Sequence, residues 1–519
     1  MNDQPYPNPP KRKMPRVLRR FLLVLAWFIT AVALFFGEEN WRGRRAWNNY
    51  QDKLKSEGAI LDLAAFIPKP VPDEQNFAST PFVKSWFPKA KGGWGDEFDH
   101  ISGRVPSPSD GKRHLTDFEA WKMAYDGVLP KEIKEKVKAR VGHLDSAARA
   151  KAAQEVLEEF KMTEPIFDEL REASRRPFVV YPVDYRLDDP WGILLPHLAK
   201  IKGACQRLAT KACAELALGQ IDKAFEDLKL LFFMTDSIKE EPFLISYLVR
   251  IACLQIASQP VWEALTQHRW SPAQLEQVQS WFEKADPLQE LTKPLSSERA
   301  AAILTVELVR KRANLRYVLQ IIDQQGSSAP NSFMSKVPLL IPRGWYDLED
   351  VSYCKFFDGY FRGVFDPNMK YVIPAESKAN SKQMEHDLGA VQGLRRILRH
   401  QVAVAYLLPA LDTMPRKAAI AQTVANQAAL ACALERFRLA RGSLPEKLDV
   451  LAPQFIKQLP RDVIGGGPYV YRKTGNATYV LYSIGWNEKD DGGVSGKILF
   501  PDKDGDWVWE IEEEGTSVQ

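Results

Sequence analysis

The sequence has few of the residues that metal and redox sites use most. Its 519 residues include five cysteines and seven histidines, with no C-x-x-C pair and no H-E-x-x-H motif. These motifs are the usual signs of thiol redox and zinc sites. The patterns G-x-S-x-G, G-x-x-x-x-G-K-[ST] and G-x-G-x-x-G are also missing, which removes the common signatures of serine hydrolases and nucleotide-binding proteins. The sequence therefore discloses no reaction, and the absent motifs favour a role other than catalysis.

The charge balance argues against a nucleic-acid partner. Lys and Arg number 70 against 66 Asp and Glu, which gives a net charge of +4. That excess is too small for a chain of this size to form a basic binding surface. The hydrophobic content of 45% indicates a folded protein, and its length predicts two to four domains at roughly 100 to 200 residues each.

A basic segment followed by an apolar run opens the chain. The run, Phe21 to Phe36, contains Thr30 as its single polar residue. At about 1.5 Å per residue it reaches about 24 Å, slightly short of a bilayer core of about 30 Å, so flanking residues must complete the span. We predict an uncleaved membrane anchor that contacts the lipid bilayer. A cleaved signal peptide is the alternative, because Ala31-Val32-Ala33 matches the A-x-A pattern.

The distribution of positive charge predicts the orientation of this anchor. The basic residues before the run outnumber those after it; they are Lys11, Arg12, Lys13, Arg16, Arg19 and Arg20, against Arg42, Arg44 and Arg45. Because basic flanks stay in the cytoplasm, we expect a cytoplasmic N-terminus and an extracytoplasmic body. No later run approaches the roughly 18 apolar residues of a span. The predicted location is the inner (plasma) membrane of a bacterium, crossed once.

The remaining pattern predicts an α+β protein with a mainly helical body. Three helices follow one another at Leu194 to Leu218, Ile221 to Ile238 and Glu240 to Leu265. Gly219 as the end of the first and Asp222 at the start of the second are typical of a tetratricopeptide-like hairpin. An irregular helical domain is the alternative, because no second copy appears at the period of about 34 residues that such repeats have.

The C-terminal part predicts a helix followed by a small antiparallel sheet. Thr474-Gly475-Asn476 is a hairpin turn between two strand patterns, and residues 507–511 alternate as a half-buried last strand. The predicted segments are a cytoplasmic basic tail (1–20), an anchor (21–37), a juxtamembrane helix and linker (38–114), a helical domain (115–325), a Pro-rich connector with helices (326–415) and an α+β domain (416–519).

Three stretches of this C-terminal part carry a resemblance to a known family. ALERFRLARGSLPEKLDVL, LPRDVIGGGPYVYR and YVLYSIGWNEKDDGG resemble the globular head of type II secretion major pseudopilins (general secretory pathway protein G), over roughly Ala418 to Glu512. The middle of the chain, including IPRGWYDLEDVSY, is similar to bacterial single-pass membrane proteins of unknown activity. The sequence departs from pseudopilins in the apolar run, which lacks the Glu of their processing site, so assembly into a filament is not expected.

The resemblance implies a calcium site in the loop after the second strand. Its candidate ligands are Asp490, Asp491 and Asp506, with Asn487 and Asp504 as additions. Calcium takes six to eight hard oxygen ligands, which a Gly-rich loop with Asp and Asn can supply. An ordinary turn is the alternative, because turns use the same Asp-Gly pairs.

Two functions follow from these observations. The first is a membrane-anchored interaction or scaffold protein with a protein partner outside the cytoplasm, associated with secretion. The second is an extracytoplasmic hydrolase, or another enzyme, with a dispersed active site. Its candidate acid-base group is Asp184, Asp188 and Asp189 near His197. Asp189 before Pro190 is more typical of a helix cap, and the sequence favours that interpretation.

Overall fold

The apolar run is the first half of one long helix. The computed structural model describes residues 15–87, 110–140, 146–185, 190–311, 341–391, 394–501 and 503–512. Its helix α1, Arg16–Ser56, has 41 residues and therefore measures about 60 Å. The anchor and the juxtamembrane helix, predicted as separate segments, belong to one helix that continues through Gly37 without a break.

Helices make up most of the described chain. After α1 come α2 (Pro81–Lys84), α3 (Phe118–Tyr125), α4 (Pro130–Arg140), α5 (Ser146–Phe160), α6 (Glu164–Ala173), α7 (Pro196–Ala217), α8 (Ile221–Asp236), α9 (Leu244–Thr266), α10 (Pro272–Lys284), α11 (Pro287–Glu290), α12 (Thr292–Arg310), α13 (Arg343–Phe361), α14 (Pro374–Gly389), α15 (Leu394–Leu398), α16 (Val402–Leu407) and α17 (Met414–Arg441). Short 3-10 helices lie at Leu63–Phe66, Asp73–Gln75, Phe77–Ser79, Lys161–Thr163, Pro190–Gly192, Leu408–Leu411 and Leu448–Leu451.

The described residues divide into two compact units. The first combines the described parts of Met1–Ala59, Thr305–Lys355 and Gln392–Tyr406, and the second those of Ile60–Leu304, Phe356–Val391 and Leu407–Gln519. Each unit is therefore assembled from stretches that are far apart in sequence.

In the first unit, α1 and α13 cross at a pair of glycines. A Cβ atom on Gly43 would stand 2.0 Å from the carbonyl oxygen of Gly344, and one on Gly344 would stand 2.1 Å from that of Glu39. Neighbouring polar groups fix the crossing, because the Gly344 amide donates to Asn40 Oδ1 at 2.9 Å and Trp345 Nε1 donates to Glu39 Oε2 at 2.7 Å. The two backbones can approach this closely only because neither glycine has a side chain.

In the second unit, one continuous hydrophobic core joins the helices of the middle of the chain to the C-terminal residues. Helix α7 packs on α8 and α9, and α17 packs on α9, α10 and α11. The same cluster of buried side chains includes Leu208 of α7, Leu254 of α9 and Leu430 of α17. The predicted succession of α7, α8 and α9 is confirmed, and Gly219 ends α7 with a left-handed φ of 72°.

The sheet has three antiparallel strands in the order β1-β2-β3. These are β1 (Val470–Lys473), β2 (Tyr479–Ser483) and β3 (Trp507–Ile511). Tyr471 pairs with Leu481 and Leu481 with Trp509. The hairpin and the α+β class are confirmed. Strand β3 is more covered than predicted, because Val508 on its second face is also buried, beside Val480 and Tyr482.

We expect Gly43→Ala to destabilise the first unit. The added methyl group would overlap the Gly344 carbonyl, so the helices must separate at a cost of about 1–3 kcal/mol. Thermal unfolding of the full chain in detergent measures the effect. The matched control is Gly37→Ala in the same helix, where no atom lies within 4 Å of the added Cβ. Equal melting of the two variants would contradict the close crossing.

Candidate functional site

The loop that leaves β2 and the loop that enters β3 meet around one buried carboxylate. Asp506 has no exposed surface. Its Oδ1 accepts the backbone N–H of Asp491 at 3.2 Å, and its Oδ2 accepts that of Gly493 at 2.7 Å. Burial raises the pKa of Asp506, and the negative charges of Asp491 and Asp490 raise it further, although the two backbone donors oppose the shift. Asp506 therefore anchors the loop that resemblance marked as a calcium site.

The other predicted ligands on this loop are held by hydrogen bonds within it. Asp490 Oδ1 accepts the Tyr482 hydroxyl at 2.9 Å and the Gly492 amide at 2.9 Å. Asp491 Oδ2 accepts Asn487 Nδ2 at 2.7 Å and the Gly505 amide at 2.9 Å. The structure therefore brings four of the five predicted residues, Asn487, Asp490, Asp491 and Asp506, into one hydrogen-bonded loop.

Asp504 stands apart from this group. Its side chain is exposed and makes no hydrogen bond or ion pair with any residue that the structure describes. Its carbonyl oxygen instead lies against Gly496, 2.6 Å from the position of a Cβ there. Asp504 therefore contributes to the loop through its backbone.

The donor set has the chemistry of a calcium site, but its geometry is closed by the loop's own hydrogen bonds. Three carboxylates and one amide supply hard oxygens, the ligands that calcium prefers. Within the described residues, however, no group of three or more His, Cys, Asp or Glu side chains is arranged to hold a metal ion. Binding would require some of the present hydrogen bonds, such as that from Asn487 to Asp491, to give way to the ion.

A second buried carboxylate, which the sequence analysis missed, lies beside the loop. Asp462 accepts the Ser483 hydroxyl at 2.7 Å and the amides of Ile464 and Ile484 at 3.0 and 3.2 Å. Burial raises the pKa of Asp462 to about 6, and the charge of Asp506 adds to the shift. The local signal for Asp462 was its position just before Gly465-Gly466-Gly467. A buried acid there can accept hydrogen bonds both from the turn and from the end of β2.

The acid-base group of the enzyme alternative has a different environment from the one predicted. His197 is fully buried, and its Nε2 lies 2.6 Å from Glu241 Oε1. The other oxygen of Glu241 accepts the Ser246 hydroxyl, and the Tyr181 ring stacks on the imidazole at 4.3 Å. Asp184 is exposed. Asp188 and Asp189 lie outside the described residues. His197 is thus part of a buried pair with a glutamate that the sequence analysis did not name.

Comparison of the chain with protein-family models, with curated proteins and with solved structures finds no match in any of the three. The interpretation of the site therefore rests on its own geometry.

We expect Asp462 to make stability depend on pH. Its folded pKa of about 6 exceeds the usual value near 4, so the folded chain holds this proton more tightly than the unfolded chain does. The contribution of Asp462 to stability is therefore greatest at low pH and is lost as pH rises through about 6. The stability lost in Asp462→Asn should be about 1 kcal/mol larger at pH 5 than at pH 7, since one pKa unit is about 1.4 kcal/mol.

Urea unfolding of the full chain in detergent at the two pH values measures this difference. The control is Asp504→Asn, whose side chain is exposed and without a described partner. It should follow the wild type at both pH values. A penalty for Asp462→Asn that is the same at pH 5 and pH 7 would show that this carboxyl does not titrate as described.

Proposed function

We propose that this chain is a single-pass membrane protein whose N-terminus is cytoplasmic and whose body lies on the other side of the membrane. The observation that carries the proposal is the exposure of the apolar half of α1. In its most apolar 18-residue window, of mean hydropathy 2.2, no residue is buried. A run of Phe, Leu, Val and Trp side chains exposed to water would be costly, and a bilayer removes that cost.

A second helix is also long and apolar enough to cross a membrane, but most of its apolar window is buried inside the protein. Leu244–Thr266 has a mean hydropathy of 1.3, and 61% of its most apolar window is buried within the protein. Its apolar side chains therefore have partners in the core of the second unit. This contrast supports a single anchor at α1.

We further propose that the body acts as an interaction or scaffold protein, associated with secretion. Support comes from the order of α17, β1, β2 and β3, which is the order that the resemblance to pseudopilin heads implies. It also comes from the turn at Asp462 and the loop around Asp506, which occupy the stretches that carry that resemblance. The partner in this proposal is an extracytoplasmic protein.

We also propose that the loop around Asp506 binds calcium. Support comes from the buried carboxylate itself, because an ion would offset the burial and the repulsion from Asp490 and Asp491 that raise its pKa. Bound calcium would supply positive charge that stiffens the loop. Asp490, Asp491 and Asp506 are the side chains that would hold it.

The orientation can be tested with a thiol label that does not cross membranes. The five native cysteines are buried, so background labelling should be low. In spheroplasts, Asp504→Cys, an exposed position, should react with a membrane-impermeant maleimide, whereas Asn2→Cys should react only after lysis. The reverse pattern would contradict the proposed topology, and release of the chain from membranes by carbonate would contradict the anchor.

The calcium proposal predicts a change in melting temperature. For the full chain in detergent, calcium in excess over its dissociation constant should raise Tm by a few degrees relative to chelator. Asp490→Asn together with Asp491→Asn should abolish the rise, and the exposed control Asp449→Asn should retain it. An unchanged melt in the wild type would identify the loop as a hydrogen-bonded turn without a ligand.

A further inference from the structure

A groove in the second unit runs along an extended segment of the chain. Its volume is about 870 Å³, and the segment Pro177–Val180 forms one wall. The side chain of Phe178 in this wall is 43% exposed. The groove is therefore open to solvent and partly apolar, and its wall is backbone in a strand-like conformation.

One edge of this segment is already paired. Phe178 forms a parallel bridge with Asn76, donating to Gln75 O at 3.1 Å and accepting from Phe77 N at 2.8 Å. Both backbone groups of Val180 bond to the Asn76 side chain, at 2.9 and 2.8 Å. Residues 178 and 180 therefore direct their backbone polar groups to the same side.

The opposite edge is open at Val179. Because backbone groups alternate in direction along an extended chain, the N–H and C=O of Val179 point away from Asn76. Neither has a hydrogen-bond partner among the described residues. A donor and an acceptor on one residue of an open edge are what an incoming extended peptide pairs with.

Among the described residues, the charges around the groove leave one cation without an ion-pair partner. The acidic lining residue Asp236 pairs with Arg250 at 2.9 Å. Lys239 pairs with Glu290 at 3.1 Å, and Lys293 pairs with Glu240 at 3.2 Å. Lys69 is exposed and has no ion-pair partner in the described part of the chain. After this internal pairing, the groove presents one positive charge, which an acidic side chain would complement.

We infer that the groove binds an extended peptide segment of a partner protein, which adds as a strand along Pro177–Val180 and places an acidic residue beside Lys69. This inference deepens the proposed interaction function and rests on it. A peptide fits better than a lipid because the open edge offers an amide donor and a carbonyl acceptor on one residue, whereas a lipid phosphate can use only the donor.

The test uses the full chain in detergent and a synthetic pool of decapeptides. Each peptide has one central Glu, with Val, Ile, Leu or Phe randomised at alternate positions. We expect the wild type to enrich members of this pool relative to Val179→Pro, which lacks the N–H that pairs and breaks no described hydrogen bond. Fluorescence anisotropy of an enriched peptide should then show at least tenfold weaker binding to Val179→Pro and to Lys69→Glu.

Matched probes separate the possible outcomes. The same peptide with its backbone N-methylated at alternate residues should lose binding. A peptide in which the central Glu is replaced by Lys should bind the Lys69→Glu variant more tightly than it binds the wild-type chain. The exposed Lys447→Glu, which has no ion-pair partner among the described residues and lies outside the groove lining, is the control variant. No enrichment over Val179→Pro, or binding that N-methylation leaves unchanged, would overturn the inference, with each variant's Tm confirming that it is folded.

Anionic lipid vesicles serve as the competing ligand. Binding of phosphatidylglycerol vesicles that is lost in Lys69→Glu, without peptide enrichment, would identify a lipid surface and overturn the peptide assignment. The thiol label tests the proposed membrane topology separately. A groove that binds no peptide and a chain that is not anchored as proposed would therefore give different results.

Discussion

Burial of helix α17 is the constraint on which the second unit depends. Its buried residues extend from Met414 to Glu435 and lie on all sides of the helix. A helix buried all round must be lined with small side chains where neighbours approach closely, which explains the alanines that recur along it. Its one deeply buried amide, Gln427, donates to the Trp507 carbonyl at 2.6 Å, so the helix also fixes the start of β3.

Buried ion pairs connect several helices of the second unit. Lys211 on α7 lies 2.8 Å from Asp227 on α8 and 3.2 Å from Glu215. Arg149 on α5 lies 2.6 Å from Glu263 on α9. Burial, with the nearby charge of Asp227, raises the pKa of Glu215 to about 8. Such pairs add little net stability, but breaking one leaves a buried charge uncompensated, so we expect them to act mainly by disfavouring other helix alignments.

Local signals in the sequence predicted local structure well. Gly219 ends α7, and the Thr474-Gly475-Asn476 turn joins β1 to β2, as predicted. In each case the conformation is decided by residues within one turn of each other. Asn487, Asp490, Asp491 and Asp506 were named through the resemblance as candidate calcium ligands. The structure places them in one hydrogen-bonded loop, and their role as calcium ligands stays a prediction.

Long-range partners were not predictable in this way. The sequence gives no local sign that His197 meets Glu241, which is 44 residues away, or that Asp462 reaches Ser483. The continuity of α1 was not predicted for another reason. The change from apolar to charged residues indicates that the surroundings change from lipid to water, but a helix can continue across that boundary. The hydrophobic pattern indicates whether a stretch of helix faces lipid, water or protein. Where the helix ends depends on its backbone hydrogen bonds and caps.

The charged form of the Asp506 carboxylate carries a free-energy cost inside its loop, and either a proton or a cation could relieve that cost. Burial beside Asp490 and Asp491 disfavours the charged carboxylate, and two backbone donors partly offset that cost. A bound proton or a bound cation would remove the remainder. Calcium, as proposed above, would have to displace some of the loop's hydrogen bonds to gain its six to eight oxygens. In the proposed calcium site, protons would compete with the ion for the Asp506 carboxylate, so binding would weaken as pH falls.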